Sequence, residues 1–142
     1  MNTSTNKTML TGGCQCGAVR YEIAGPIIER YVCHCRECQK QSASAFGISI
    51  HVRSVDVRLT QGTLLRWSRA TDSGGTLHCF FCSACGTRVW HGDKDREDDI
   101  SVKGGSLDEP VDIGGAIHIW TILKLPGVII PDGARQYAME PD

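Results

Sequence analysis

The stretch Phe81-Cys82-Ser83-Ala84-Cys85-Gly86-Thr87 places two cysteines around a two-residue spacer and follows them with a glycine. Two thiolates at this spacing can wrap a tight turn around one metal ion, and the glycine lets backbone amides approach the sulfurs. A second pair, Cys14 and Cys16, lies far upstream after Gly12 and Gly13. Four thiolates complete a tetrahedral zinc site with no open position. We therefore predict a structural zinc site formed by Cys14, Cys16, Cys82 and Cys85.

This predicted site joins segments that are distant in sequence. The separation between Cys16 and Cys82 is 66 residues, and closing a loop of that length costs about 3 to 4 kcal/mol in chain entropy. Structural zinc binding is worth about 10 kcal/mol or more, which exceeds that cost. The metal should therefore pin the N-terminal strand to a later hairpin and act as part of the core.

A second cluster occupies Tyr31-Val-Cys-His-Cys-Arg-Glu-Cys38, where Cys33, Cys35 and Cys38 fall within six positions. Three thiolates in a short arc can hold one zinc and leave its fourth position for water, substrate or another ligand. The alternative is a second structural zinc completed by a donor from elsewhere in the chain. The candidates for that donor are His34, His51, His78, His91, His118 and Cys79.

The overall composition limits the classes of function. Lys plus Arg is 15 and Asp plus Glu is 16, for a formal net charge of -1. The sequence therefore lacks the excess of positive charge that favours binding to nucleic acids or membranes. The first residues lack an apolar leader, and no stretch reaches the roughly 20 apolar residues of a membrane span. We therefore expect a cytoplasmic protein with a small-molecule partner. Eight cysteines could form disulfides in an exported protein, but cytosolic thiols stay reduced, so metal binding is favoured.

The apolar residues alternate along most of the chain, as in Phe46 to Val52 and Val55 to Leu59, which predicts a mainly β domain. Paired glycines, including Gly12-Gly13, predict turns between strands. One short helix is expected over Cys35 to Ser42, and the charged run Asp93 to Asp99 is expected to be a solvated loop. We expect an N-terminal tail at residues 1–11 and a single zinc domain at 12–142.

Five blocks of the sequence resemble successive blocks of one family. They read GGCQCGAVRYEI, CHCRECQKQSASAFG, FCSACGT, GGSLDEP and HIWTILKLPGVIIPDGARQY. In this order they are similar to the glutathione-dependent formaldehyde-activating enzyme (Gfa) family, also called the centromere-protein-V family. The resemblance runs from about residue 12 to the C-terminus. It implies an Mss4-like fold of antiparallel sheets with two zinc ions per chain. The resemblance implies that the ligands of the closed site are Cys14, Cys16, Cys82 and Cys85. It implies that those of the open site are Cys33, Cys35 and Cys38.

The activity that the resemblance implies is condensation of glutathione with formaldehyde to S-hydroxymethylglutathione, or a related carbon-sulfur lyase reaction on another aldehyde. Glutathione would be the co-substrate and a small aldehyde the second partner. A non-catalytic, zinc-stabilised module that binds glutathione or a protein partner would use the same ligands and stays an alternative. Nucleic-acid binding is disfavoured by the balanced charge, and homo-oligomerisation is left open.

Several further residues are candidates for the site. Arg36 and Lys40 could hold a glutathione carboxylate, and His118 could donate a proton to the developing alkoxide or be an ordinary strand residue. Trp120 is expected in the core. Two positions depart from the family pattern: Ala43 stands where relatives often have glycine, and Cys79 stands where a basic residue is often found. Cys79 is interpreted as a buried small hydrophobe rather than a ligand.

Overall fold

The computed structural model of the protein describes residues 9–141. In this range one α-helix, α1, covers Arg36–Ser42, and short 3₁₀ turns cover Ser54–Asp56, Gly104–Ser106 and Thr121–Leu123. The strands are β1 (Met9–Gly13), β2 (Arg20–Ala24), β3 (Glu29–Cys33), β4 (Gly47–Arg53), β5 (Val57–Gln61), β6 (Leu64–Ala70), β7 (Thr76–Cys82), β8 (Arg88–His91), β9 (Asp99–Lys103) and β10 (Ile117–Ile119).

The strands form two sheets. The smaller sheet has the order β1-β2-β5, and the larger one has the order β10-β3-β4-β9-β8-β7-β6. Neighbouring strands are antiparallel except for β10 and β3, which are parallel. The predicted mainly β fold with little helix is confirmed, and the parallel pair is an addition that the sequence did not predict.

The two faces of the larger sheet differ in chemistry because successive side chains of a strand point to opposite faces. On the inner face, Ile50 pairs with Val102 across β4 and β9, and both are fully buried. This face packs against Tyr21 of the smaller sheet, whose ring meets Trp90 edge to face at 6.0 Å between centroids. On the outer face, Ser49 pairs with Lys103. The inner face is therefore the core, and the outer face is free to carry polar chemistry.

The helix α1 begins and ends at residues with visible caps. Cys35 is the N-cap, and its sulfur accepts a hydrogen bond from the Cys38 N–H. Ala43 ends the helix in the left-handed conformation, at φ 52°, with its N–H donating to the Lys40 carbonyl. The helix predicted over Cys35 to Ser42 is thus confirmed to within one residue.

Two details of the sequence-based fold were wrong. Gly12 and Gly13 lie inside β1 rather than in a turn. Gly12 is needed for close approach, because a Cβ atom there would collide with the Tyr21 hydroxyl and the Ser106 carbonyl. Val55 lies in a 3₁₀ turn and is 77% exposed rather than alternating with Val57 in a strand.

The remaining boundaries agree more closely. The charged run forms a loop up to residue 98, and β9 begins at its last residue, Asp99. Most of the predicted tail, residues 1–11, lies outside the described residues, while β1 begins at Met9, upstream of the predicted boundary at residue 12. None of the helices in residues 9–141 has the length and apolar character needed to cross a membrane.

Candidate metal centres and the adjoining cavity

The first cysteine cluster lies where the two sheets meet. Cys14 follows β1 of the smaller sheet, and Cys82 ends β7 of the larger one. The Cys16 sulfur lies 3.6 Å from that of Cys14 and 3.8 Å from that of Cys82, and all four sulfurs, including Cys85, lie within 4.8 Å of one another. The structure therefore brings together the four predicted ligands of the closed site, in an arrangement that could hold one metal ion.

The backbone of this first cluster is arranged around the sulfurs. The Val19 N–H donates to the Cys14 sulfur at 3.2 Å, and the Ala84 N–H donates to the Cys82 sulfur at 3.3 Å. Gly86 has φ 82°, a conformation that favours glycine, and its N–H donates to the Cys82 carbonyl at 2.9 Å. Hydrogen bonds with Thr87 hold the pKa of Cys85 down at about 5. Amides and hydroxyls directed at sulfur favour the thiolate form that a metal requires.

The second cluster is built at the junction of β3 and α1. Cys33 ends the strand, Cys35 caps the helix, and Cys38 lies in the first helical turn. The Cys33 and Cys35 sulfurs are 3.4 Å apart, and all three sulfurs lie within 4.8 Å of one another. Hydrogen bonds from Cys33 and Cys38 lower the pKa of Cys35, and the hydrogen bond with Cys35 in turn raises the pKa of Cys33. Soft thiolate ligands in this arrangement fit zinc.

This second cluster has three ligands rather than four. Among residues 9–141, no fourth His, Cys, Asp or Glu joins the group. The six side chains considered as donors for a closed site therefore do not complete it, and a tetrahedral ion held by Cys33, Cys35 and Cys38 would have one position free for an incoming ligand.

A cavity of about 520 Å³ opens beside this cluster on the outer face of the larger sheet. All three cysteines line it, together with both acidic and basic side chains. The cationic lining residues are Lys40, Arg69, Arg88 and Lys103, and the acidic ones are Glu37 and Glu140. The volume is sufficient for a small peptide-like ligand, since ligand pockets commonly measure about 300 to 1,000 Å³.

Arg88 is held in this cavity from two sides. Its guanidinium lies over the Trp67 ring at 5.4 Å, and its Nη1 atom donates to His91 Nε2 at 3.0 Å. Burial, with added repulsion from Lys103 and Arg88, lowers the pKa of His91 to about 3. His91 is therefore neutral near pH 7 and can accept this hydrogen bond. A guanidinium fixed in this way is suited to binding a carboxylate through paired hydrogen bonds.

Lys103 places a buried cation close to the thiols. Its side chain is buried, and Nζ donates to the Ser49 hydroxyl at 3.1 Å. Burial lowers the pKa of Lys103, while the nearby Cys38 and Cys33 thiols act in the opposite direction. A positive charge at this position reduces the excess negative charge that several thiolates would place around a divalent ion.

The other predicted site residues are divided between the cavity and its surroundings. Lys40 lines the cavity, whereas Arg36 lies outside its lining and contacts the Gln39 side chain within α1. His118 is also outside the lining. It is buried, and its Nδ1 lies 2.9 Å from Nε2 of His34, with the two rings stacked.

The sequence also predicted that Cys79 and Trp120 are buried. Cys79 is fully buried and belongs to neither cluster, as expected for a small hydrophobe. Trp120 was expected in the core and is only partly buried. Its backbone is in the left-handed region, at φ 57°, and its indole N–H donates to Glu140.

Sequence reasoning missed most of the cavity wall. Arg88 and His91 come from β8, Lys103 from β9 and Trp67 from β6, and no local spacing links the three strands. One signal was present in β9, where polar Ser101 and Lys103 alternate with apolar core residues. That alternation marks a sheet face that is not part of the core.

Two comparisons with known proteins agree with this arrangement. Residues 9–122 match the family described as glutathione-dependent formaldehyde-activating enzyme. The crystal structure of a Rhodobacter sphaeroides protein, a structural genomics target, is 24% identical and superposes with a TM-score of 0.58. That match covers 76% of this chain and 98% of that chain. At this identity the structural likeness supports the fold alone. The two cysteine clusters in a mainly β, Mss4-like fold, together with the match over most of its length, establish that the chain belongs to the glutathione-dependent formaldehyde-activating enzyme family.

Proposed function

We propose that the protein binds the thiol of glutathione at the cluster of Cys33, Cys35 and Cys38 and promotes its addition to a small aldehyde such as formaldehyde. The observation that carries the proposal is the position of three thiol sulfurs, within 4.8 Å of one another, on the wall of a cavity with cationic side chains. The family match supports this choice of thiol and aldehyde.

Zinc is the metal that we assign to both clusters, because sulfur-only donor sets of this size suit it. Bound at the three-cysteine cluster, it would supply the positive charge that keeps a further thiol deprotonated at neutral pH, where a free thiol is mostly protonated. The roles of Cys33, Cys35 and Cys38 are to hold this ion and to leave one position open.

The remaining lining residues would bind the tripeptide. Glutathione carries two carboxylates, and Arg88 presents a fixed guanidinium to one of them. Arg69 and Lys40 add positive charge at the same cavity. Because these groups act on parts of glutathione that do not react, their contribution is to orient its sulfur.

The reaction is an addition and needs no oxidant or reductant. The sulfur lone pair forms a bond to the carbonyl carbon, the C=O π pair moves to oxygen, and that oxygen takes up a proton while the thiol loses one. Lys103 lines the cavity and has a pKa lowered by burial, so it is a better proton donor than an exposed lysine. We place the protein in the cytoplasm, where thiols are kept reduced.

The proposal is tested by the rate at which glutathione and formaldehyde exchange with S-hydroxymethylglutathione, measured by NMR exchange spectroscopy. We expect the zinc-loaded protein to raise this rate above that in buffer, and we expect Cys35→Ser to remove the increase. Arg66→Lys, a conservative change of an exposed residue of β6 outside the cavity lining, should keep it. If the wild-type protein leaves the exchange rate at its buffer value, the enzymatic proposal is wrong.

A further inference from the structure

A segment near the C-terminus forms part of the cavity wall. Residues 135–141, here called the C-terminal strap, run beside β10 and the 3₁₀ turn that follows it. Backbone hydrogen bonds of 2.9 to 3.3 Å tie the two together, including His118 N–H to the Arg135 carbonyl and Trp120 N–H to the Met139 carbonyl. The strap lies beyond residues 9–122, the part of the chain that matches the family.

The strap brings the Glu140 carboxylate to the cavity. Glu140 lines the cavity with Tyr31, Ile119 and Pro141. The Trp120 indole N–H donates to Glu140 Oε1 at 3.0 Å. A carboxylate has about four lone-pair positions, so this single hydrogen bond leaves it able to bind a further donor.

Glu140 differs in its pairing from the other acidic residue of the cavity. Glu37 lies 3.9 Å from the Arg69 guanidinium. No ion pair between residues 9–141 involves Glu140. Its negative charge is therefore available to a cationic group of a ligand.

The charges of the cavity are separated along the sheet. Glu140 lies on the side of β10 and β3, whereas Arg88 lies in β8, and β4 and β9 run between β3 and β8. The three-cysteine cluster is at the end of β3, and Lys103 is in β9. A ligand that spans the cavity with its sulfur at the cluster would meet a carboxylate on one side and a guanidinium on the other.

We propose that Glu140 selects thiol ligands that carry a free ammonium group, with a carboxylate elsewhere in the molecule to meet Arg88. This inference rests on the proposed function and names the ligand class of the same site. Glutathione belongs to this class, since its glutamyl residue has a free amino group that is protonated at neutral pH. A thiol peptide with an acylated amino group offers Glu140 no cation.

The test is isothermal titration calorimetry of the full-length, zinc-loaded protein with glutathione and with N-acetylglutathione, which lacks the ammonium group. We expect the wild-type protein to bind glutathione about fivefold more tightly, as for a partly exposed ion pair. Glu140→Gln should weaken glutathione binding by about the same factor and leave N-acetylglutathione binding unchanged. Glu109→Gln, at an exposed glutamate outside the cavity lining, should behave as the wild type.

Equal affinities of the wild-type protein for the two peptides would overturn the selection by Glu140. Equal effects of Glu140→Gln on both peptides would also overturn it. Both results leave the proposed function intact, because both require that thiol peptides bind. If neither peptide binds, the proposed function is contradicted, and the selection by Glu140 with it.

Discussion

At the scale of single residues, the neutral state of His91 allows it to hold the Arg88 guanidinium in the cavity. Its Nε2 atom can accept the hydrogen bond from Arg88 only while it carries no proton. Burial lowers its pKa from 6.5 to about 3, so protonation is resisted in the folded protein. In the unfolded chain the same imidazole titrates near its ordinary value.

This difference predicts a specific loss of stability in acid. Between pH 6.5 and about 3 the unfolded state binds a proton at His91 that the folded state does not, so the free energy of unfolding falls as the pH falls below 6.5. Glutamine at this position keeps an acceptor for Arg88 but does not titrate. Between about pH 7.5 and about pH 5.5, the free energy of unfolding of the wild-type protein should fall by about 1 kcal/mol more than that of His91→Gln.

The measurement is urea denaturation of both proteins, with zinc content checked at each pH so that metal loss does not enter the comparison. Parallel curves of unfolding free energy against pH would show that His91 has an ordinary pKa in the folded protein. The account of how Arg88 is positioned would then be wrong.

At the scale of elements, the C-terminus of α1 carries local strain. Ala43 adopts the left-handed conformation at φ 52°, which side chains with a Cβ atom adopt at a cost of about 1 to 2 kcal/mol. Glycine is the usual residue at this position of a helix end.

We therefore expect Ala43→Gly to stabilise the protein by about 0.5 to 1 kcal/mol, after the added flexibility of glycine in the unfolded chain is subtracted. Ala45→Gly is a matched control, because Ala45 follows in the same loop and does not have a positive φ. It should be neutral or destabilising. Thermal denaturation compares the variants, and a lower melting temperature for Ala43→Gly than for the wild type would refute the assignment of strain.

The elements also show how far the sequence could predict the site. The two cysteine clusters and α1 were predicted because their information is local: the spacing of the cysteines and the residues of one helix. The position of Arg88 could not be predicted. Arg88 and Trp90 are two residues apart and should share a face, yet Arg88 lines the cavity while Trp90 is buried in the core.

An irregularity in the pairing of β7 with β8 accounts for this. Phe80 pairs with Trp90, but the next residue, Phe81, pairs with Arg88, so the register shifts between them. Such a bulge re-aims side chains on one strand. The alternation of a single strand does not reveal a bulge, and it does not reveal that β8 and β9 are neighbours in the sheet.

At the scale of the whole molecule, the two cysteine clusters differ in how much of the fold they hold together. The first cluster joins β1 of the smaller sheet to β7 of the larger one, across 66 residues between Cys16 and Cys82. The second cluster takes all its ligands from one short segment between Cys33 and Cys38. Metal at the first cluster therefore constrains the whole fold, whereas metal at the second constrains only the junction of β3 and α1.

This contrast predicts opposite effects of two equivalent substitutions. Cys82→Ser should destabilise the protein by about 3 kcal/mol or more, because a zinc site that lacks one of its four ligands no longer holds the two sheets together. Cys35→Ser should reduce the zinc content by one ion per chain and change the stability by less than about 1 kcal/mol. Denaturation curves and zinc analysis of the two variants decide the matter. A Cys82→Ser protein with full zinc and the wild-type melting temperature would contradict the assignment of the first cluster.

The most direct test of the central claim is absorption spectroscopy of the protein with cobalt in both clusters, titrated with glutathione. If the cluster of Cys33, Cys35 and Cys38 leaves one metal position open to a thiol, glutathione should strengthen the thiolate-to-metal charge-transfer absorption, and Cys35→Ser should abolish the response. If two cobalt ions are bound per chain and saturating glutathione leaves the wild-type spectrum unchanged, the cluster is closed or does not accept thiols, and the proposed function is contradicted.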